Sequence, residues 1–387
     1  MSNSIHSDVQ QTVRVSSRRF ELSPFHDCWA NEHTVMGVYA GRYYSVFNGE
    51  DVTKTYWALR RKAVMYDVPE RPVEISGPDA EAFLERVFAR RISSLKQGRG
   101  RYAIACTPKG GVFMDGILFK LAADRFWYVQ PDGALETWFH AHSEGFNVTI
   151  SDPHSRVVQI QGPTSFEIMH AASGGAIDEA MGYFHSGFFK IGDQEVYVSR
   201  TGWTGELGFE IYTLGDATDC RGLWHHLLQA GEPHGMMVGS ISSMEIRRLE
   251  AGILDNGTDF DVSMTPFEAG LDAFVDLDKE DFIGRTALLD GKPGTRIYGV
   301  KCAEATPVYQ GEILDGEEGV ARITAGAWSP YLDCGIGYVR FHSAGNRTGQ
   351  KLTMRTAEGK SVACEIVDLP FYDREKRIPR GLDKTIP

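Results

Sequence analysis

The 387-residue sequence predicts an α+β fold that closes with a small all-β domain. Two near copies of a strand–turn–helix unit, and a C-terminal run of short, evenly spaced strands, carry that reading. The copies are Val73–Phe88 (VEISGPDAEAFLERVF) and Val158–Ala172 (VQIQGPTSFEIMHAA). In each a Gly-Pro pair, at Gly77 and Gly162, breaks the strand, and the polar residue that follows is expected to cap the next helix. Such turns are common, so the echo reads either as a duplicated subdomain or as a coincidence of turn chemistry.

Along the chain, residues 1–20 are polar and read as a loose arm. Tyr102–Thr107 and Val112–Lys120 are strand-like runs joined by Thr-Pro-Lys-Gly-Gly, a hairpin turn. Gly133–Ser143 reads as a short helix, and Gln194–Tyr212 as two strands around a glycine-rich turn at Thr201–Gly205. Leu223–Ala230 and Ser242–Ala251 have helical spacing. From Arg296 onward RIYGVKC, EGVARITAGA, GIGYVRF, KLTMRT and ACEIVDLP follow one another as short strands.

The length suits two or three domains. A net charge of −12 argues against a nucleic-acid surface, which needs a basic face, and mildly favours a cationic small molecule. The six cysteines form no CxxC pair and no zinc spacing, which fits reduced thiols in the cytoplasm. The N-terminus lacks the apolar core of a signal peptide, and no window reaches 18 apolar residues, so no membrane partner is expected. His140 and His142, two apart on a helix, diverge, as do the adjacent His225 and His226, so no metal is expected. Neither a P-loop nor a dinucleotide fingerprint is present.

Three segments are candidates for chemistry. In Arg200–Glu210 (RTGWTGELGFE) Trp203 can stack on a planar ring and Glu210 can take paired N–H donors from a heteroaromatic edge. The alternative is a plain hairpin with a core Trp203 and a solvated Glu210. Asp115 interrupts an apolar strand, where a carboxylate is costly unless it is paired or opens on a cleft. There it can accept a proton or offset developing positive charge, whereas an exposed turn aspartate would do neither. The acidic stretch Asp255–Glu268 lacks EF-hand spacing and reads as a solvated loop with one or two carboxylates turned inward.

Together these segments resemble the glycine-cleavage T-protein (aminomethyltransferase) family over most of the chain. Arg200–Glu210 is similar to that family's RTGYTGEDGFE motif. ThrProPheGluAlaGlyLeu at 265–271, the LDKEDFIGRTAL run at 277–288, Arg248–Ala251 and ThrAlaGlyAlaTrpSerPro at 324–330 match further motifs in order. The resemblance implies a three-domain cloverleaf around a folate channel. Residues 1–70 plus 155–245 form its first α+β domain, 71–154 the second, 246–290 complete the folate-binding core, and 291–387 are the C-terminal, barrel-like β domain. It implies tetrahydrofolate as cofactor, Asp115 near its reactive nitrogens, and Glu210 gripping the pterin with Trp203 beside it. It also implies Tyr102 lining the channel, and Arg377, ahead of Arg374, facing the folate tail.

The departures narrow the reading. The family's paired aspartates become Met114–Asp115, its next-strand asparagine falls near Gln130–Pro131, and an arginine and a tyrosine fall at Met244 and Ile253. Stretches 66–80, 199–206 and 230–235 instead look like the tetrahydrofolate-dependent demethylases of dimethylsulfoniopropionate and of methoxylated aromatic acids. The expected function is therefore methyl transfer from a small sulfonium or methoxylated carboxylate to N5 of tetrahydrofolate. The alternatives are an aminomethyltransferase, which needs a lipoyl carrier protein, and a methylamine or betaine demethylase. A non-catalytic assembly factor is disfavoured, because its cysteine-bearing segment is replaced by LDKEDFIGR.

Overall fold

The computed structural model describes residues 19–387 apart from 131, 292 and 293, so the expected N-terminal arm lies outside it up to residue 18. The chain opens with α1 (His26–Trp29), a hairpin of β1 (Val35–Tyr39) and β2 (Arg42–Phe47), α2 (Val52–Arg61) and β3 (Val64–Val68). Next come β4 (Arg71–Ser76), α3 (Ala80–Val87), β5 (Arg99–Cys106), β6 (Val112–Ala122), β7 (Arg125–Gln130), α4 (Leu135–His142) and β8 (Thr149–Ser151). A second block runs β9 (Val157–Gln161), α5 (Ser165–Ala172), β10 (Ser186–Ile191), β11 (Gln194–Ser199), β12 (Gly208–Tyr212), α6 (Cys220–Gly231) and β13 (Met237–Val238). Then follow α7 (Ile241–Glu250), α8 (Arg285–Leu289), and the strands β14 (Ile297–Cys302), β15 (Glu312–Asp315), β16 (Glu318–Ser329), β17 (Cys334–Phe341), β18 (Lys351–Arg355) and β19 (Ser361–Val367).

The two Gly-Pro units are topological equivalents. One sheet has the order β5-β6-β7-β4-β8 and the other β10-β11-β12-β9-β3-β13. In both, the strand before the turn (β4 or β9) pairs antiparallel with the last strand of the meander that follows its helix. The duplicated-subdomain reading therefore holds. Gly77 and Gly162 have φ of +125° and +129°, and a Cβ there would come within 2.6 Å of the Asn147 carbonyl and 2.4 Å of the Lys62 carbonyl. Only glycine fits such a turn. The expected side-chain caps are absent: neither Asp79 nor Thr164 caps its helix. The turns close instead through the backbone, Ala80 N–H to the Gly77 carbonyl and Ser165 N–H to the Gly162 carbonyl. Asp79 turns away to accept from the Asn147 amide at 2.8 Å.

Strand alternation sorts the core into layers. Val73, Ile75, Leu118, Phe126 and Tyr128 pack under α3 and α4, and Val158, Ile160, Val196, Phe209 and Ile211 under α5 and α6. The opposite faces meet each other: Phe119, Leu121 and Trp127 of one sheet pack on Tyr66, Tyr197 and Tyr212 of the other. The result is helix–sheet–sheet–helix. At one end of this interface the apolar side chains give way to Asp115, Gln159, Ser199 and Glu210, all buried.

The C-terminal strands close a barrel in the order β14-β17-β16-β15-β18-β19, filled by Val300, Ile313, Ile323, Val339 and Ile366. This is the small all-β domain expected from the strand spacing, and closure removes its sheet edges. α7 ties the parts together. Arg247 Nε donates to Glu206 over 2.7 Å, and Glu250 accepts from the hydroxyls of Tyr56 at 2.7 Å and barrel Ser329 at 2.6 Å. Arg60 of α2 pairs with both Glu206 (2.9 Å) and Glu250 (3.3 Å).

Candidate active site

A cavity of about 1810 Å3 opens where the inter-sheet core runs out. Its walls come from β5 and β6, the 202–210 segment, residues 252–256 and 267–274, and the C-terminal stretch 368–380. Asp115, Tyr102, Trp203 and Glu210, expected from sequence to share a site, all line it.

Asp115 stands on β6 with the same parity as Ile117, Phe119 and Leu121, so the pleat that builds the inter-sheet core also turns this carboxylate inward. It is 7% exposed, which overturns the exposed-turn alternative. On the neighbouring strand, Tyr102 donates its hydroxyl to Asp115 Oδ2 over 2.7 Å. Oδ1 is buried and meets no donor at full hydrogen-bond geometry; the Asn256 amide stands near the carboxyl and helps to stabilise its ionised form. Burial raises the Asp115 pKa above the ordinary carboxylate value, and the Tyr102 hydrogen bond opposes that rise. Tyr102 is set in place by Phe274, ring centroids 4.7 Å apart.

Glu210 lies on the facing wall, on the inner face of β12 beside Tyr212. It is 6% exposed, so the solvated reading fails. Its Oε2 accepts from Thr201 (2.5 Å), Tyr212 (2.6 Å) and Ser199 (3.3 Å), while Oε1 accepts only from Gln159 Nε2 at 3.1 Å. Desolvation raises its pKa and these hydroxyl donors pull it back down. The same Gln159 nitrogen reaches Glu70 Oε1 at 3.1 Å. Glu70 sits where the chain crosses from β3 in one sheet to β4 in the other. Burial first, then the charge of Glu210, pushes its carboxyl up to about 8.

Trp203 rests against the inter-sheet core and also lines the cavity. The Arg248 guanidinium supports it 5.0 Å from the ring centroid and is itself held by Asp259 at 2.7 Å. The 200–207 loop is clasped from behind by Arg247, through Glu206 and the Gly205 carbonyl (3.1 Å). In the acidic 255–268 stretch, the inward carboxylates are Asp255 and Asp259. Asp255 lines the cavity, accepts from the Thr258 hydroxyl at 2.9 Å, and is pushed by burial up to about 6.

One expected residue is misplaced. Arg374 lines the cavity and Arg377 does not. Asp373 takes the amides of both Arg377 and Ile378, which turns the chain so that the Arg377 side chain points out to Glu375, 3.8 Å away. Among the departures, Met244 is buried core and Ile253 lines the cavity; Gln130 ends β7, and Pro131 lies outside the described residues. The 277–288 run is architectural. Its Lys279 Nζ donates to the carbonyls of Glu85, Phe88 and Arg90 at the end of α3. Glu70, Gln159 and Asn256 were missed. Glu70 lay within the quoted 66–80 stretch, but nothing in the spacing tells a crossover glutamate from a solvated one. Among the described residues, no helix is long and apolar enough to cross a membrane.

Family models for the GCVT N-terminal domain and the glycine cleavage T-protein C-terminal barrel domain match residues 25–279 and 296–373. The chain is 31% identical over 345 residues to a trimethylamine-oxide aldolase of Ruegeria pomeroyi, covering 84% of this chain and 44% of that protein. It thus spans less than half of that relative's length. It is also 31% identical over 336 residues to an aminomethyltransferase of Streptomyces avermitilis, covering 82% of this chain and 89% of the relative. Among solved structures, the glycine cleavage system aminomethyltransferase T from Bartonella henselae superposes with a TM-score of 0.82 at 24% identity, covering 92% of this chain and 99% of that one. That likeness shows the fold.

Proposed function

On the premise that the chain belongs to the glycine-cleavage T-protein family, we propose that it is a tetrahydrofolate-dependent demethylase acting on a small-molecule methyl donor. The observation that carries this reading is the pair of buried carboxylates on facing walls of one cavity. Asp115 has an open oxygen, and Glu210 has one oxygen saturated and the other nearly bare. Buried polar atoms without partners, here Asp115 Oδ1, Glu70 Oε2 and Asn256 Nδ2, are costly unless a ligand supplies matching groups. A flat heterocycle rich in donors and acceptors does so, and an apolar ligand does not.

Tetrahydrofolate, when bound, supplies N5 as the methyl acceptor. Glu210 and Trp203 orient the ring, one by hydrogen bonding and the other by stacking. Asp115 Oδ1 offsets positive charge on the reacting nitrogen and takes its proton once the methyl group has moved. Tyr102 holds Asp115 in place through Oδ2. Arg374 meets the anionic tail.

Asp115, Glu210 and Asp255 favour a cationic donor beside them, on a wall that also carries Asp272, Asp368 and seven lysines and arginines. A sulfonium of the dimethylsulfoniopropionate type leaves as a neutral thioether, so alignment does most of the work. A methoxylated carboxylate needs an acid for its leaving oxygen, for which Tyr102 is the candidate. A methylamine or betaine donor is the second reading, favoured by the same three carboxylates and by the relative named for trimethylamine oxide. The aminomethyltransferase reading, with its lipoyl carrier protein, is weakened by Met114, Met244 and Ile253 in place of that subgroup's residues. The division into 1–70 plus 155–245, 71–154, 246–290 and 291–387 belongs to this proposal. So does a cytoplasmic location, in keeping with six unpaired cysteines.

The test is incubation with tetrahydrofolate and a panel of sulfonium, methylamine, betaine and methoxyaryl donors, followed by assay of 5-methyltetrahydrofolate. Product from a sulfonium or methoxylated donor supports the proposal, and product from an amine alone moves it to the second reading. No product from any donor sinks both.

A further inference from the structure

The two oxygens of Glu70 have different surroundings. Oε1 accepts from Gln159 Nε2, and Oε2 is buried with no partner, on a residue of the cavity wall. Gln159 gives its second amide hydrogen to Glu210, so one neutral amide bridges two carboxyl groups. Glu210 receives three hydroxyl donors besides, and the Glu70 carboxyl receives none. Because both carboxyl groups are buried and share one amide, the pair sheds one charge by keeping a proton. Glu210, with its donors, is built to stay ionised, and the proton belongs on Glu70. The other charged and titratable groups facing Glu70 do not reverse this. Arg42 of β2 spends Nη1 on the Glu70 backbone carbonyl at 2.8 Å rather than on the carboxyl. Asp67 of β3 adds negative charge, Tyr212 of β12 already donates to Glu210, and Tyr39 of β1 is a neutral phenol whose own pKa is raised.

We infer that Glu70 is a pterin-reading residue, held as a neutral acid beside anionic Glu210 and donating from Oε2 to an acceptor atom of the bound ring. Glu210 takes the donor edge of the heterocycle and Glu70 the acceptor next to it. Together they select a ring that presents N–H groups flanked by a carbonyl or ring nitrogen, as a 2-amino-4-oxo pyrimidine does. This rests on the folate reading above and adds its recognition chemistry.

The test is equilibrium binding of 5-methyltetrahydrofolate, with no methyl donor present, followed by tryptophan fluorescence from acid to alkaline pH for the wild type, Glu70→Gln and Glu70→Ala. From neutrality to about pH 8 the wild-type affinity is expected to be flat. Above that it falls, because ionised Glu70 loses its donor hydrogen and repels Glu210, by up to about tenfold per unit. Glu70→Gln keeps an N–H donor and cannot ionise, so it holds near-neutral affinity within about threefold and shows no alkaline loss. Glu70→Ala binds at least about tenfold more weakly near neutrality. Identical pH profiles for the wild type and Glu70→Gln would overturn the inference, as would full affinity in Glu70→Ala. If Glu70→Ala does not fold, the wild type against Glu70→Gln comparison decides. A wild type that binds no folate at any pH overturns the folate reading itself, whereas tight binding indifferent to Glu70 overturns only this role.

Discussion

The Tyr102 hydroxyl donates to Oδ2 of Asp115 over 2.7 Å and leaves Oδ1, with the Asn256 amide near the carboxyl, without a full hydrogen bond. A carboxylate with one oxygen anchored and one open is suited to receive a proton without moving. Asp115→Ala is therefore expected to bind folate within about threefold of the wild type and to lose turnover by at least about a hundredfold. Folate affinity and single-turnover rates check this, and turnover kept within about threefold would remove Asp115 from the chemistry.

The same geometry sets the acid limb of the pH profile. Asp115 must be ionised to work, and burial raises its pKa, so activity falls with falling pH at a value above the ordinary aspartate pKa of about 3.9. Tyr102→Phe removes the hydrogen bond that stabilises the ionised form, so it moves this limb to still higher pH. The pH dependence of kcat/KM measures both, and a limb that does not move in Tyr102→Phe would separate the tyrosine from the titrating group.

Trp203, propped by Arg248, offers a ring face at the cavity wall. If a cationic donor lies against it, Trp203→Leu removes about 0.5–2 kcal/mol of cation–π attraction, a rise of about 2- to 30-fold in donor KM. A neutral methoxyaryl donor should be affected less. Side-by-side KM values for a sulfonium and a methoxyaryl acid decide the matter.

Arg374 and Arg377 lie three residues apart and point differently, one to the cavity and one to Glu375. Arg374→Ala is expected to raise the folate KM about two- to fivefold, less at high salt because its side chain is 68% exposed. Arg377→Ala is expected to leave it unchanged. The reverse pattern would restore the order read from the sequence.

Glu250 is fully buried among Arg60, Arg247, Tyr56 and Ser329. Glu250→Gln leaves the two guanidiniums sharing Glu206 alone, and loss of one partner from such a cluster costs about 3–5 kcal/mol. Chemical denaturation should show that loss directly, and a midpoint within error of the wild type would mean that the cluster contributes little.

The sequence made the strands and their periodicity legible, because alternation and glycine turns are local. The Gly77 and Gly162 units, the 102–120 hairpin and five of the six barrel strands lie where spacing put them, whereas β15 (Glu312–Asp315) was not read. Asp115 was legible as a carboxylate in an apolar strand, an arrangement that is costly and so informative, and Glu210 through the glycine-rich segment Arg200–Glu210. Glu70 was not, because its burial comes from two sheets meeting at a crossover, which no local pattern records. The order of Arg374 and Arg377 failed for a similar reason: Asp373 takes the two following amides and redirects the chain. The helix caps failed because backbone carbonyls close those turns without side-chain help.

The cluster at Glu250 bears on how variation in such proteins is to be interpreted. Glu206, Glu250 and Ser329 come from three of the segments that carry the family resemblance, and Arg247 lies beside one of them, yet their contacts here are with one another. Invariance at these positions across a set of relatives would mark a fastening between sheets and barrel, not a reaction. A count of unchanged residues around the cavity would then overstate the catalytic set. Two relatives alike at all four could still act on different donors, and specificity is better sought at Trp203 and Ile253.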